Sequence, residues 1–138
     1  MNQDNEKPAA PDGFVEHYFG GQFNSYFGPV FRHEREPRLR FKVGLQHLNP
    51  AKTLHGGALA TFADMMVAAH YPGAGSAEMH CPTINMSIDY VATAKLGQWV
   101  EAQVTLVRKT SRMIFLSGLI QADGETIARA SGIHRIYA

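Results

Sequence analysis

The stretch that decides the fold covers residues 54–70 and reads LHGGALATFADMMVAAH. Alanine, leucine and methionine favour helix, and apolar side chains fall on every face of this run. The stretch therefore predicts a central helix that is surrounded by protein. Asp64 is its one carboxylate, so we expect Asp64 to be substantially buried. Because a desolvated carboxylate is costly unless it is paired or hydrogen-bonded, Asp64 is a candidate functional group.

The predicted helix begins at the pair Gly56-Gly57. Little side-chain bulk there keeps a ligand from the free backbone N–H groups of the first turn. We place the helix N-cap at Thr53 and the helix end near Tyr71, because Pro72-Gly73 stops it. One element thus offers a candidate oxyanion site at its start and a candidate base at Asp64.

The composition excludes several classes of protein. A chain of 138 residues suits one domain with its own core, and 13 Lys+Arg against 12 Asp+Glu leave a net charge of +1. This balance gives no drive toward nucleic acid or an anionic membrane. The single cysteine, Cys81, excludes an intramolecular disulfide framework and suggests the cytoplasm. Residues 1–12 predict a frayed tail, not a signal peptide, and no apolar run is long enough to cross a bilayer.

The pattern around the helix indicates one α+β domain over residues 13–138. Residues 13–27 carry aromatic side chains at near-helical spacing and predict a short amphipathic helix and a loop, whereas residues 28–47 alternate and predict a hairpin. Long strands are predicted at 83–92, 98–109, 113–121 and 126–137. One helix followed by consecutive antiparallel strands predicts a curved sheet wrapped around a long central helix.

The chain resembles a known family through a set of residues at fixed spacing. These are Asn49, the triplet His55-Gly56-Gly57, Asp64, the strand 83–90 and the Lys-Leu-Gly turn at 95–97. They resemble the hotdog-fold acyl-CoA thioesterases, in particular the phenylacetate-degradation (PaaI-type) branch of the 4-hydroxybenzoyl-CoA thioesterase superfamily. The similarity covers about residue 38 to the C-terminus. It implies the hotdog fold and hydrolysis of an acyl- or aryl-CoA thioester without a cofactor.

The resemblance also implies roles for the two ends of the helix. In such enzymes the backbone N–H of the first turn, here Gly56 with Gly57 as its substrate-binding neighbour, polarises the thioester carbonyl. Asp64 stands at the position of the general base or nucleophile, and we favour the base.

Three further residues are assigned from the resemblance. Asn49 and His55 would orient the carbonyl or the water, and Thr83 would hydrogen-bond the attacking water or Asp64. The other histidines are scattered without the spacing of metal ligands, so we assign no metal.

Two groups of basic residues remain. Arg108, Lys109 and Arg112 flank Thr110-Ser111 in a predicted hairpin, where cations and hydroxyls together suit phosphate. The resemblance places this hairpin near the entrance for CoA, so we assign the three cations to substrate binding. Arginines also alternate along residues 32–42, and we interpret them as the wet face of a strand.

Helix geometry predicts the oligomeric state. Gly56 and Asp64 are eight residues apart. They therefore lie about 12 Å apart along the helix axis, and their side-chain directions differ by roughly 80° around it. One thioester carbonyl can hardly use both from the same chain. Two antiparallel helices across a two-fold axis would solve this, and the resemblance implies such homodimers, often paired into tetramers.

Two other functions stay open at this point. The first is a non-catalytic acyl-CoA-binding protein. The second, more distant, is a hotdog-fold dehydratase or hydratase, which would need a catalytic histidine in a pattern that this chain lacks. The acyl group is also open, because aromatic and methionine side chains could line an aryl or an aliphatic pocket or belong to the core. The side chains concerned are Phe14, Tyr18, Phe19, Phe23, Met65, Met66 and Met86.

Overall fold

The computed structural model describes residues 6–74 and 80–137. Residues 1–5 of the predicted tail lie outside these ranges, and the domain boundary at residue 13 stays a prediction. No helix in the described ranges has the length and apolar character needed to cross a membrane.

Seven antiparallel strands form one sheet. Their spatial order is β1 (Phe14–His17), β2 (Val30–His33), β3 (Arg38–Lys42), β5 (Trp99–Lys109), β6 (Met113–Ala122), β7 (Glu125–Arg135) and β4 (Thr83–Tyr90). The α-helix α2 (Gly56–Asp64) and the 3₁₀ helix that continues it pack on this sheet, so the predicted hotdog architecture is confirmed. The four long strands are found within two residues of their expected bounds. The predicted hairpin is present, but its second strand ends at Lys42 rather than at residue 47, and a 3₁₀ helix follows it. A short helix, α1, spans Gln22–Phe27, and 3₁₀ helices span Leu45–His47 and Met65–Ala69.

The segment 13–27 differs from its prediction. Phe14–His17 is a strand that pairs with β2, and the helix is confined to Gln22–Phe27. Aromatic spacing suggested a helix from the start of the segment, but pairing with β2 overrides it. Gly21, with a φ of 94°, takes a left-handed conformation that separates the strand from the helix.

The bounds of α2 also differ from their prediction. The N-cap is His55 rather than Thr53, because the His55 ring accepts the Gly57 N–H while Thr53 is engaged by Asn49. The α-helix ends at Asp64, and the 3₁₀ helix Met65–Ala69 continues it to a point just before the predicted end near Tyr71.

The core lies between the helical segment 56–69 and the concave face of the sheet. Phe62 and Met66 are fully buried, against side chains such as Phe41 and Ile120. Gly118 on β6 permits this close approach, because a Cβ there would overlap the Met66 sulfur. The packing fixes which face of α2 turns away from the sheet.

Candidate functional site

Asp64 is exposed in the chain, so the prediction that it is buried is wrong. The outer face of α2 carries Gly57, Thr61 and Asp64 at spacings of four and three residues, and these side chains are small or polar. Leu59 and Phe62 instead face the core. The apolar residues around Asp64 suggested a fully enclosed helix, but Ala60 and Thr61 are only half-buried and leave the carboxylate accessible.

Thr83 contacts Asp64, as predicted. Its hydroxyl donates to Asp64 Oδ1 at 2.5 Å, across 19 residues of sequence. Thr83 is the first residue of β4, and the pairing of β4 with β7 shifts between Thr83 and Asn85. Such a β-bulge re-aims the side chain beside it. The irregular start of β4 thus directs the hydroxyl toward the end of α2.

The first turn of α2 leaves one N–H free for a ligand. His55 Nδ1 accepts the Gly57 N–H at 2.7 Å, so a neutral His55 carries its proton on Nε2. Within residues 6–74 and 80–137 no acceptor contacts the Gly56 N–H. Gly56 therefore offers the open donor, while Gly57 serves the cap.

Tyr90, at the end of β4, supports this turn and was missed in the sequence. Its hydroxyl donates to the Gly56 carbonyl at 2.8 Å. Its ring would lie 3.4 Å from a Cβ at position 56, which is ordinary contact. The alternation of side chains along β4 predicts on which face of the strand Tyr90 lies. It does not predict a contact with Gly56, which is 34 positions away in the sequence.

Asn49 is occupied within its own loop. Its Oδ1 accepts the Thr53 N–H at 3.0 Å and its Nδ2 donates to the Thr53 hydroxyl at 2.9 Å. The loop includes Lys52, whose φ of 63° is left-handed. Asn49 thus holds the loop that leads into the N-cap.

His47 links α1 to the start of α2, and it also was missed. The ring is buried, and Nε2 donates to the Phe27 carbonyl at 2.6 Å while Nδ1 accepts the Gly44 N–H at 2.9 Å. Its own carbonyl accepts the His55 N–H at 2.7 Å. Burial lowers the pKa of His47, and the bond to Phe27 only partly offsets this. The neutral ring that these contacts require is therefore favoured.

Two separate clefts lie at the two ends of α2. One, of about 340 Å³, is lined by His55 and Gly57 at the first turn. The other, of about 400 Å³, is lined by Asp64 and Thr83. Because α2 is a regular α-helix from residue 56 to 64, the expected separation of about 12 Å along its axis holds within one chain.

The basic hairpin lies at the Asp64 end of the sheet. Thr83 pairs with His134, His134 with Ile114, and Ile114 with Lys109, in one row across β4, β7, β6 and β5. Three strand spacings, about 14 Å, thus separate Thr83 from Lys109. Lys109 lies over the Tyr71 ring, at 4.9 Å from its centre.

Contacts in the turn of the basic hairpin, and in the second basic group along residues 32–42, show which polar side chains are already engaged within the chain. The Thr110 hydroxyl accepts the N–H groups of Arg112 and Met113, so it is engaged in the turn. Arg38 and Arg40 both donate to Glu101, at 2.9 and 2.8 Å, which supports their interpretation as the wet face of a strand.

No set of three His, Cys, Asp or Glu side chains in the described ranges is arranged to hold a metal.

Comparisons with known proteins find a matching family model and a related sequence. The family model described as the thioesterase superfamily matches residues 51–128. A Pseudomonas aeruginosa protein named as esterase PA0474 is 28% identical over 131 residues, which cover 91% of this chain and 96% of that protein.

Solved structures share the fold. A Streptococcus pneumoniae protein described as a hypothetical thioesterase, solved with coenzyme A, is 17% identical with a TM-score of 0.64, and the match covers 95% of this chain and 94% of that one. The streptococcal protein has also been solved as an aspartate-to-alanine and as a threonine-to-alanine variant. A variant of the phenylacetic acid degradation protein PaaI of Thermus thermophilus is 20% identical with a TM-score of 0.61, over 89% of this chain and 92% of that one.

Proposed function

Because the chain belongs to the thioesterase superfamily and is a thioester hydrolase, we propose that it hydrolyses an acyl- or aryl-CoA ester in a site shared by two copies of the chain. In this proposal Asp64 is the general base and the Gly56 N–H is the oxyanion donor. The coenzyme A in the streptococcal neighbour supports the CoA part of the substrate. With its single cysteine, the chain is assigned to the cytoplasm.

The chemistry follows from the two ends of α2. The Asp64 carboxylate takes a proton from water, and the resulting hydroxide attacks the carbonyl carbon of the thioester. The oxygen that gains charge accepts the Gly56 N–H at the positive end of the helix dipole. The tetrahedral intermediate then breaks its C–S bond, and CoA leaves with a proton from Asp64. The Thr83 hydroxyl holds Asp64 in place.

We infer a site shared by two chains from one observation, which is the distance between Asp64 and the Gly56 N–H within one chain. Asp64 lines one cleft, and the residues on either side of Gly56, His55 and Gly57, line the other, at opposite ends of one nine-residue helix. A reacting carbonyl needs both within one or two hydrogen bonds. A second copy must therefore bring its own α2 close.

The register of α2 and β4 favours a two-fold dimer that does this. Tyr90, the last residue of β4, contacts Gly56, and Thr83, the first, contacts Asp64, so the two elements run antiparallel. If β4 pairs with the same strand of a partner antiparallel, Tyr90 of one copy lies opposite Thr83 of the other. Gly56 of one copy then approaches Asp64 of the other, twice per dimer.

The free edge of β4 supports this pairing. β4 ends the sheet, and in the described part of the chain only β7 pairs with it. Ile84 and Val91, on and just after the strand, are exposed apolar residues. An open apolar edge is a template for another strand. We extend the proposal to dimers that pair into tetramers, as the resemblance implies.

The test is release of free thiol from CoA esters by the wild type and by Asp64→Asn. We expect kcat to fall by about 10²- to 10⁴-fold, the usual contribution of a general base, with KM and the melting temperature retained. Asp12→Asn is the matched control, because Asp12 is an exposed carboxylate that lies outside α2 and β4. Unchanged turnover in Asp64→Asn would remove Asp64 from the mechanism, and a wild type inactive on every CoA ester would overturn the substrate class.

A further inference from the structure

The cleft at the first turn of α2 has a wall that lies outside the residues matched by the thioesterase family model. Helix α1 contributes this wall through Phe23 and Tyr26, which are 68% and 75% exposed. They are three residues apart and therefore share one face of α1. The family model begins at residue 51, so α1 lies outside the matched residues.

Rings dominate the lining of this cleft. Five ring side chains line it: Phe23, Tyr26, Phe27, His47 and His55. Of the sequence candidates for the acyl pocket, Phe14 and Met66 are in the core, whereas the largely buried Phe19 and Met65 line the other cleft, at Asp64. No methionine within the described ranges lines the cleft at the first turn of α2. Flexible side chains adapt to alkyl chains, whereas rigid rings favour offset or edge contacts with another ring.

The wall is held in a fixed position relative to the oxyanion donor. The Phe27 carbonyl at the end of α1 accepts bonds from His47 Nε2 at 2.6 Å and Gln46 Nε2 at 3.1 Å. The His47 carbonyl in turn accepts the His55 N–H, next to Gly56. These hydrogen bonds therefore connect the ring-lined wall to the first turn of α2.

We propose that Phe23 and Tyr26 bind the acyl part of the substrate and select a ring-bearing acyl group over a linear one. This inference rests on the proposed function, since it assigns the acyl subsite of the same site. The volume of about 340 Å³ lies at the lower end of ligand pockets, which run from roughly 300 to 1,000 Å³. The buried residues Phe27 and His47 close its floor.

The experiment compares kcat/KM for phenylacetyl-CoA and hexanoyl-CoA in the wild type and in Phe23→Leu, Tyr26→Leu and the double variant. We expect the wild type to favour phenylacetyl-CoA and the double variant to lower that ratio by about tenfold, the low end of what apolar pocket contacts contribute. Tyr18→Leu is the matched control, because Tyr18 is 78% exposed and lies outside this cleft. A folding defect lowers both rates together and leaves the ratio unchanged.

The outcomes separate this inference from the function on which it rests. A wild type that hydrolyses neither ester contradicts the proposed function. A wild type that favours hexanoyl-CoA, or a double variant that keeps the wild-type ratio, overturns the ring subsite alone. Loss of the dimer in the double variant, measured by analytical ultracentrifugation, with an unchanged ratio would mean that a second copy of the chain covers these rings instead.

Discussion

Single hydrogen bonds at the start of α2 hold the peptide group that we propose as the oxyanion donor. Gly56 has no side chain, so its peptide is held by its neighbours. His55 fixes the Gly57 N–H, and Tyr90 fixes the Gly56 carbonyl. Tyr90 acts through Gly56 and is therefore a positioning residue.

Removal of the Tyr90 hydroxyl should lower kcat and leave KM in place. A hydrogen bond contributes about 0.5–1.5 kcal/mol net, so we expect Tyr90→Phe to lower kcat by about three- to tenfold. Tyr137→Phe is the control, since Tyr137 is exposed to a similar degree, 58% against 52%. Steady-state kinetics and the melting temperature would be measured together. A fall in melting temperature with unchanged kcat would make Tyr90 a purely structural residue.

His47 predicts a loss of stability in mild acid. Burial lowers its pKa below that of the unfolded chain, about 6.5, so below this pH the unfolded state binds more protons than the folded state. His47 thus contributes stability above pH 6.5 that is lost as pH falls through its folded pKa. Burial also lowers the pKa of His17.

The measurement is the free energy of unfolding in urea between pH 7.5 and 5, at fixed protein concentration. Each histidine contributes a slope of up to about 1.4 kcal/mol per pH unit. We expect His47→Gln to reduce the slope and to leave the His17 part. The slope, not the absolute stability, is compared, because the substitution also changes contacts with Phe27 and Gly44. A wild-type slope in the variant would show that His47 does not carry the effect.

At the scale of elements, the hairpin between β5 and β6 carries the proposed CoA contacts. Its pairing is irregular between Leu106 and Arg108, and bulges of this kind re-aim side chains. Since the Thr110 hydroxyl is engaged in the turn, the cations are the groups left to contact phosphate. Lys109 is further held by its contact with the Tyr71 ring.

Neutralising this hairpin should raise KM more than it lowers kcat. We expect the triple variant Arg108→Gln, Lys109→Gln and Arg112→Gln to raise KM for a CoA ester by about tenfold, because exposed charge contacts contribute roughly 0.2–1 kcal/mol each. The effect should shrink at high salt. A control with the same charge change is Arg35→Gln, Lys42→Gln and Arg129→Gln. An equal rise in KM in the control would assign the effect to net charge.

Elements differ in how far the sequence predicts them. Strands β5 to β7 follow from alternation of buried and more exposed positions, which runs through all of β6, residues 99–105 of β5 and residues 128–135 of β7, where a wrong register would expose the core. The segment 13–27 is misread because its aromatics fit a helix locally, while Phe14 is held by pairing with His33 on β2. The contact between Thr83 and Asp64 was expected only from the resemblance, since a side-chain bond across 19 residues leaves no local pattern.

At the scale of the whole molecule, the exposure of Asp64 has a consequence for assembly. The sequence pattern is apolar around Asp64, yet the chain alone leaves Asp64, Thr83 and the start of α2 accessible. The local sequence pattern indicates that this face of the helix is covered. It does not indicate whether the same chain or a second copy covers it. In the proposed dimer the partner lies against these residues, so the same pattern serves an interface rather than the core of one chain.

Complementation tests the shared site directly. Asp64→Ala removes the proposed base, and Gly56→Pro removes the N–H of the proposed oxyanion donor. Proline suits the first position of a helix, and His55 already has a ψ of 135°, the extended conformation that a residue before proline adopts. Gly56→Ala is the control, because it keeps the N–H and its Cβ would meet the Tyr90 ring only at ordinary contact distance.

The two disabled chains are unfolded together and refolded. Random pairing yields about half heterodimers, and in each of these one site carries both defects while the other is intact, so about a quarter of the wild-type activity should return. Each parent alone has no intact site. Subunit mixing is verified by native mass spectrometry of chains with different tags. Heterodimers that form but stay as inactive as their parents would place the base and the donor within one chain, and the antiparallel pairing of β4 would then be the step to abandon.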